Sequence, residues 1–324
     1  MTRSFATTAV QAYYNSMSNN TLKTLLTVVG PTAIGKTAMA IRLAQHYNCE
    51  IISADSRQFF KEMTIGTAVP SDKELAAARH NFIQNISIFD EYTVGDFERD
   101  AIAKLEELFL TNDYAVLVGG SGLYIDAVLK GFDEFPDIDP IVRENLIADY
   151  EMHGIGFLQE QLQELDPIHY EKVAKDNPQR LMRALEVCIG SGLPYSSFLN
   201  RKKSSRSFTP VVIGLEAERQ LIYDRINKRV DIMMETGLLD EIKALHPHQN
   251  LNALQTVGYR ELFNYIEGEF ALPVAIEEIK KNTRRFAKRQ MTWFKRTEGV
   301  KWFDFETPIT DVINYIKEKE SANI

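Results

Sequence analysis

Residues 25–37 read Leu25-Leu26-Thr27-Val28-Val29-Gly30-Pro31-Thr32-Ala33-Ile34-Gly35-Lys36-Thr37. Leu25 to Val29 is a short apolar run rich in β-branched residues, the pattern of a strand buried on both faces of a parallel sheet. It runs directly into the spacing G-x-x-x-x-G-K-[ST], carried by Gly30, Gly35, Lys36 and Thr37. Ala38, Ile41, Leu43 and Ala44 then continue with helical character. Strand, glycine loop and helix start therefore come in the order that phosphate binding requires. The glycines let backbone N–H groups converge on one anion. The helix adds its N-terminal partial positive charge. Lys36 adds a full charge, and the Thr37 hydroxyl can ligate Mg²⁺. The whole loop from Gly30 to Thr37, including Pro31, Thr32, Ala33 and Ile34, is expected to hold a diphosphate or the phosphates of a nucleotide. The loop alone does not say which, nor whether a phosphoryl group moves.

Downstream, Cys49 to Asp55 reads as a second strand ending in an acid, with Ser56, Arg57 and Gln58 at its carboxyl end, where ligands bind in open α/β sheets. Asp55 lies beside the phosphate loop if the two strands are neighbours. Residues 64–70 read as a loop, and Asn81 to Ile88 as a short edge strand. Val94 to Leu110 is an amphipathic helix with Phe97, Ala101, Leu105 and Leu108 on one face. Tyr114 to Val118 is another buried strand. It enters Gly119-Gly120-Ser121-Gly122-Leu123-Tyr124, a second glycine turn that suggests another wall of the same site.

At 132–140 the composition turns to Pro and Asp, and helical patterns then run to Cys188. There Pro178 starts a helix on which Gln179 and Arg183 share a face. Residues 200–207 read as a basic flexible connector, and Pro210 to Leu215 returns to strand. Arg219 to Leu245 is a long helix with a break at Gly237, its apolar stripe including Ile222, Ile226, Val230, Met233 and Met234, with Arg225 and Arg229 beside it. Ile279 to Arg296 holds eight Lys and Arg residues and no acid, interleaved with Phe286, Trp293 and Phe294. Such a helix suits a phosphate backbone, and Lys288, Arg289 and Lys295 are the expected contacts.

The fold expected is α/β: a P-loop NTPase-like parallel sheet flanked by helices, with an all-helical insertion domain. Its core is 22–134 and 208–310, the insertion 135–207, and 311–324 a closing helix or tail. Residues 1–21 are rich in Ser, Thr and Asn, with one Arg and no acid. They read as a disordered tail, as a start misassigned ahead of Met17, or as a transit peptide. The chain has 324 residues and a net charge of −8, which argues against indiscriminate nucleic-acid binding but leaves room for a local basic surface. No apolar run is long enough to span a membrane, so no membrane partner is expected. The two cysteines are far apart and in apolar contexts, which fits a reducing cytoplasm, and the six histidines show no zinc spacing.

Taken together, Gly30 to Thr37, Ser53-Ala-Asp-Ser-Arg-Gln58, Ile65-Gly-Thr-Ala68, Gly119 to Tyr124, Gln179-Arg180-Leu181-Met182-Arg183, Val257-Gly258-Tyr259-Arg260 and Thr283-Arg-Arg-Phe-Ala-Lys-Arg-Gln-Met-Thr-Trp293 closely resemble bacterial tRNA dimethylallyltransferases. The resemblance runs from about Leu25 to Trp302. It implies dimethylallyl diphosphate as donor, Mg²⁺ as cofactor, and as acceptor the anticodon stem-loop of tRNA, with the adenosine beside the anticodon flipped out and alkylated on its N6 amine. It implies tRNA contacts at Asp55 to Gln58, Gln179 to Arg183 and Gly258 to Arg260. Ser121 and Arg143 are implied near the substrates, and Arg225 at the diphosphate. Asp55, Lys36, Thr37, Ser121 and Arg225 are the expected catalytic set, and a monomer is expected. Ser121 stands where Thr is commoner. Phe59-Phe60-Lys61 stands where Tyr and Arg are usual, so base stacking there is expected to differ. Eukaryotic members often add a zinc finger, which this sequence lacks, pointing to a bacterial source.

Asp55 has two roles open to it: a second metal ligand, or the base that receives the amine proton. Two other function classes compete. A small-metabolite kinase would turn over ATP and have no use for the basic helix. An RNA-binding ATPase would bind tRNA without modifying it.

Overall fold

A computed structural model of the chain describes residues 23–133, 135–199 and 206–322. The tail at 1–21 and most of the basic connector lie outside the described residues. The chain divides into two compact units, one built from the chain up to Leu129 and again from Arg206 onward, the other from Lys130 to Ser205.

The first unit is built on six strands: β1 (Thr24–Val29), β2 (Ile51–Ser53), β3 (His80–Asn81), β4 (Tyr114–Val118), β5 (Thr209–Glu216) and β6 (Lys301–Asp304). All pairs are parallel and the order is β3-β2-β4-β1-β5-β6. Parallel strands require crossover connections, so helices must cover both faces. That explains the uninterrupted apolar run of β1, whose six residues are all buried. Leu26 and Val28 pack on one side with α1 (Lys36–Tyr47), while Leu25 and Val29 face α3 (Val94–Phe109) and α4 (Gly122–Lys130). Between them the short α2 (Asp72–Ala77) is closed by a Ser71/Glu74 capping box.

Two expectations change here. The Asn81–Ile88 strand shrinks to His80–Asn81, because Phe82 and Gln84 take positive φ (63° and 47°) and break the pleat. Only an isolated bridge from Phe60 to Ile86 continues it. Nor is β2 the neighbour of β1: β4 lies between them. All three nevertheless deliver their loops to the same carboxyl edge, which is where the chain's strand order switches sides about β1.

The second unit is helical: α5 (Pro140–His153), α6 (Ile155–Leu165), α7 (Pro167–Tyr170) and α8 (Pro178–Ser191). Leu146, Leu158, Leu162, Leu181, Met182 and Leu185 make its core. Asp166 ties the unit's end together, accepting from Ser196 N and Oγ and from His169 N.

The chain re-enters the first unit at Arg206. This residue is not part of a free connector: it pairs with Glu98 at 2.5 Å and donates to the Ala127 carbonyl. After β5 come α9 (Arg219–Glu235) and α10 (Leu238–Leu245), broken as expected at Gly237, whose φ of 105° glycine adopts without strain. α11 (Tyr259–Ile266) and the basic α12 (Leu272–Phe294) follow, then β6 and α13 (Ile309–Ser321). Among the described residues no helix is long and apolar enough to cross a membrane.

Candidate active site

The phosphate loop leaves β1 and ends where Gly35, with φ 110°, caps α1. Lys36 Nζ donates to the Pro31 carbonyl at 2.8 Å, so the lysine folds back over its own loop. A cavity of about 690 Å³ opens above it, lined by Thr32, Lys36, Thr37, Asp55, Gly119 and Gly120. From α9, Arg225, Lys228 and Arg229 face the same cavity. Arg225 Nε donates to the Ala33 carbonyl at 2.8 Å, and Arg229 Nη1 to Thr32 Oγ1 at 3.3 Å. Four cations thus face two acids, Asp55 and Glu74, an excess positive charge suited to an anion. Burial pulls the Lys36 pKa down to about 8; Asp55 opposes the shift and Arg229 adds to it. Burial likewise lowers that of Arg229, again against the pull of Asp55.

A second cavity of about 250 Å³ shares Thr32, Asp55, Thr67, Ala68 and Arg229 with the first. Asp55 and Arg229 therefore stand where the two meet. Its polar wall is Ser56, Arg57 and Ser121; its apolar wall includes Ile226, Met233, Val257, Ile279 and Phe286. Ser121 Oγ lies 3.1 Å from Ser56 Oγ and accepts the Ser56 N–H at 3.2 Å. Asp55 Oδ1 accepts the Arg57 N–H at 3.1 Å, and the Arg57 guanidinium donates to the Asn252 carbonyl. Gln58 lines the first cavity, and its Nε2 donates to the carbonyls of Thr67 and Ala68, pinning the loop that walls both cavities.

The same loop is held from outside. Glu241 on α10 accepts the N–H groups of Thr64, Ile65 and Gly66, and the Tyr259 hydroxyl at 2.7 Å. Tyr259 is fully buried, its ring where a Cβ on Gly66 would stand. Its side chain is therefore not presented at the surface. Gly258 does line the second cavity, but Arg260 faces a separate cleft with Gln255, Glu261 and Asn282. Phe59 and Phe60 are also buried in the core, so neither presents a base-stacking surface.

In the helical unit, α8 exposes Gln179, Arg180 and Arg183 and buries Leu181 and Met182. The side chains of those last two belong to the core of the helical unit. Arg143 donates to Gln179 at 2.5 Å, and Arg143 and Arg183 share the Glu186 carboxylate at 3.3 and 3.2 Å.

The basic stretch is less free than its composition suggests. Lys280 pairs with Asp231 and Glu277, Lys281 with Glu278, and Lys295 with Glu216 at 2.6 Å. Phe294 belongs to the core. Lys288 and Arg289 are exposed, with Arg289 lying over the Phe286 ring. Two residues with no role assigned from sequence alone prove to be part of the site. Arg229 lies one helical turn beyond Arg225, and that spacing was its signal. Gln290 accepts the Thr32 N–H and donates to the Gly120 carbonyl, both at 2.8 Å. Nothing local marks it.

The polar donors lining the first cavity beside the cations are oxygens, from Thr37, Ser53, Asp55 and Glu74 among others, with no histidine or cysteine. That set suits a hard divalent cation that takes most of its ligands from phosphate and water.

A family model described as IPP transferase matches residues 58–297. The chain is similar to the tRNA dimethylallyltransferase of Flavobacterium johnsoniae, at 64% identity over 94% of this chain and 100% of that protein. Among solved structures it is similar to the full-length tRNA isopentenylpyrophosphate transferase of Bacillus halodurans, at 35% identity and a TM-score of 0.69, covering 93% and 97% of the two chains. It is also similar to a eukaryotic dimethylallyltransferase acting on tRNA, at 25% identity and a TM-score of 0.74, over 87% of this chain and 74% of that one.

Proposed function

The chain belongs to the IPP transferase family, and from that premise we propose that it transfers a dimethylallyl group from dimethylallyl diphosphate to tRNA, on the N6 amine of the adenosine beside the anticodon. The observation that carries the reading is the junction of two cavities at Asp55: one cationic and loop-bound, one apolar with a polar wall. The phosphate loop, Lys36, Arg225 and Arg229 hold the diphosphate and stabilise the charge that grows on it as the carbon–oxygen bond breaks. Thr37 would hold a Mg²⁺ ion, which when bound neutralises part of that charge. The adenine amine attacks the allylic carbon, a carbon–nitrogen bond forms, diphosphate leaves, and the amine proton passes to Asp55. A carboxylate is sufficient for this, because the proton leaves once the nitrogen carries positive charge. Ser121 and Ser56 supply hydroxyls beside the base. A stacked base cannot reach Asp55, so the adenosine must be flipped out.

Lys288 and Arg289 on α12, together with Gln179, Arg180, Arg183 and Arg143 in the helical unit, bind the anticodon stem-loop in this reading. Arg143 and Arg183 share one carboxylate, so together they retain positive charge for RNA phosphate. The free, buried Cys49 and Cys188 suit the reducing cytoplasm, where tRNA is met. Neither the small-metabolite kinase nor the RNA-binding ATPase is favoured, since the relatives' names and the basic α12 beside the loop both speak for transfer to tRNA. The test is one incubation with prenyl-labelled dimethylallyl diphosphate, γ-labelled ATP and unmodified tRNA. Prenyl label in the tRNA with ATP unconsumed is expected; phosphoryl label in a product, or tRNA bound but unlabelled, would reject the reading.

A further inference from the structure

We propose that Gln290 is a positioning residue for the transfer reaction: its one carboxamide fixes the phosphate loop against the second glycine turn. The inference rests on the reading of the larger cavity as the donor site. Its Oε1 accepts the Thr32 N–H and its Nε2 donates to the Gly120 carbonyl, each at 2.8 Å, and the side chain is 6% exposed. The two partners belong to loops that leave adjacent strands, β1 and β4, and they sit 258 and 170 residues away in sequence. Among the described residues, no backbone hydrogen bond joins the two loops beyond the strand ends, where the Gly119 N–H donates to the Val28 carbonyl. The amide spans the gap.

Only a group with one donor and one acceptor on a short, flat fork can do this. The site is built for it: a Cβ on Gly120 would lie 2.2 Å from the Gln290 amide nitrogen and 3.6 Å from Lys36 Nζ. A side chain at 120 would therefore displace the amide. The Thr32 N–H is also turned to Gln290, and Arg229 holds the Thr32 hydroxyl. With the Thr32 N–H and hydroxyl both held, the N–H groups nearer α1 are left to face the anion. Lys288 and Arg289, directly preceding Gln290, are exposed on the same helix. Losing the amide therefore loosens the donor site without removing a cation from the RNA-facing side.

The test uses full-length protein and two variants, Gln290→Met and Gln290→Glu, with pyrophosphate affinity, tRNA affinity and single-turnover transfer read for each. Gln290→Met keeps the bulk and removes both hydrogen bonds. It should weaken pyrophosphate binding about tenfold and slow transfer about 10- to 100-fold, with tRNA affinity unchanged. The carboxyl introduced by Gln290→Glu can replace the amide only when protonated, when its O–H donates to Gly120 and its carbonyl accepts from Thr32. Ionised, it sets an acceptor against the Gly120 carbonyl and competes with the diphosphate for Lys36. The ratio of Gln290→Glu to wild-type transfer should therefore climb as pH falls from 8 to 6 (roughly tenfold). A side chain that merely fills space gives a flat ratio. Wild-type pyrophosphate affinity and transfer rate in Gln290→Met, or a pH-independent ratio for Gln290→Glu, would overturn the proposal. If the wild type itself binds no pyrophosphate, it is the donor-site reading that fails.

Discussion

Asp55 leaves β2 just past Ser53 and lines both cavities, so its carboxylate is within reach of a group entering from either side. Asp55→Asn is expected to retain pyrophosphate and tRNA binding and lose roughly 10²–10⁴-fold in single-turnover transfer, the usual worth of a positioned acid–base group. If the variant transfers normally once Mg²⁺ is raised, Asp55 is a metal ligand and not the base. Lys36 makes a second prediction, in pH. Half-buried in the loop, with desolvation lowering its pKa to about 8, it is protonated below that value and neutral above it. A bound diphosphate favours the charged form, so binding takes up a proton. Pyrophosphate affinity should fall as pH rises through 8 to 9, beyond the slope shown by Lys36→Met, which reports the ligand's own titration. An equal slope in both proteins would contradict this. These residues differ in how they can be found from sequence. Lys36 and Thr37 sit inside a contiguous motif whose every member has a local reason. Gln290 has none, because its meaning comes from partners brought to it by the sheet order.

Among the elements, α12 and the loop at 64–68 carry the most consequence. On α12, charge composition alone overstates the free basic surface. Lys280 and Lys281 are neutralised by acids just outside the Ile279–Arg296 window, on the same helix, and Lys280 also by Asp231. Lys288 and Arg289 remain exposed, so replacing both with alanine should weaken tRNA binding. It should also flatten the salt slope by roughly 0.7–0.9 per lost phosphate contact. An unchanged slope would remove α12 from the RNA-binding surface. The loop at 64–68 is read from sequence only as a loop, and its anchor Glu241 is invisible there, since three N–H groups and a tyrosine hydroxyl must first converge on it. Glu241→Ala should destabilise the protein by about 1–3 kcal/mol, the cost of leaving the buried Tyr259 hydroxyl and the part-buried Ile65 and Gly66 N–H groups unpaired. Amide exchange at 64–68 should rise ahead of the sheet, with Glu241→Gln recovering part of the loss. Exchange unaltered in that loop would show that it is held by Gln58 alone.

At the scale of the whole chain, sequence periodicity locates β1, β4 and β5 and the helical character of the insertion, because buried parallel strands are apolar throughout and amphipathic helices repeat. It does not yield strand order: β2 and β1 are separated by β4, and only the fold brings Asp55 to the same cavity as Lys36. The family pattern identifies which residues matter, but not which of them are buried, as Tyr259, Leu181 and Met182 are. The central claim is that a phosphate loop of nucleotide-binding type here holds the diphosphate of a prenyl donor and releases it as the leaving group. The most direct measurement is single-turnover transfer of labelled dimethylallyl to tRNA by wild type and Lys36→Ala, with pyrophosphate titrated against the donor. The account predicts that pyrophosphate competes with the donor in the wild type and that Lys36→Ala, though folded and tRNA-binding, transfers essentially nothing. Full transfer by Lys36→Ala, or wild-type transfer indifferent to pyrophosphate, would contradict it.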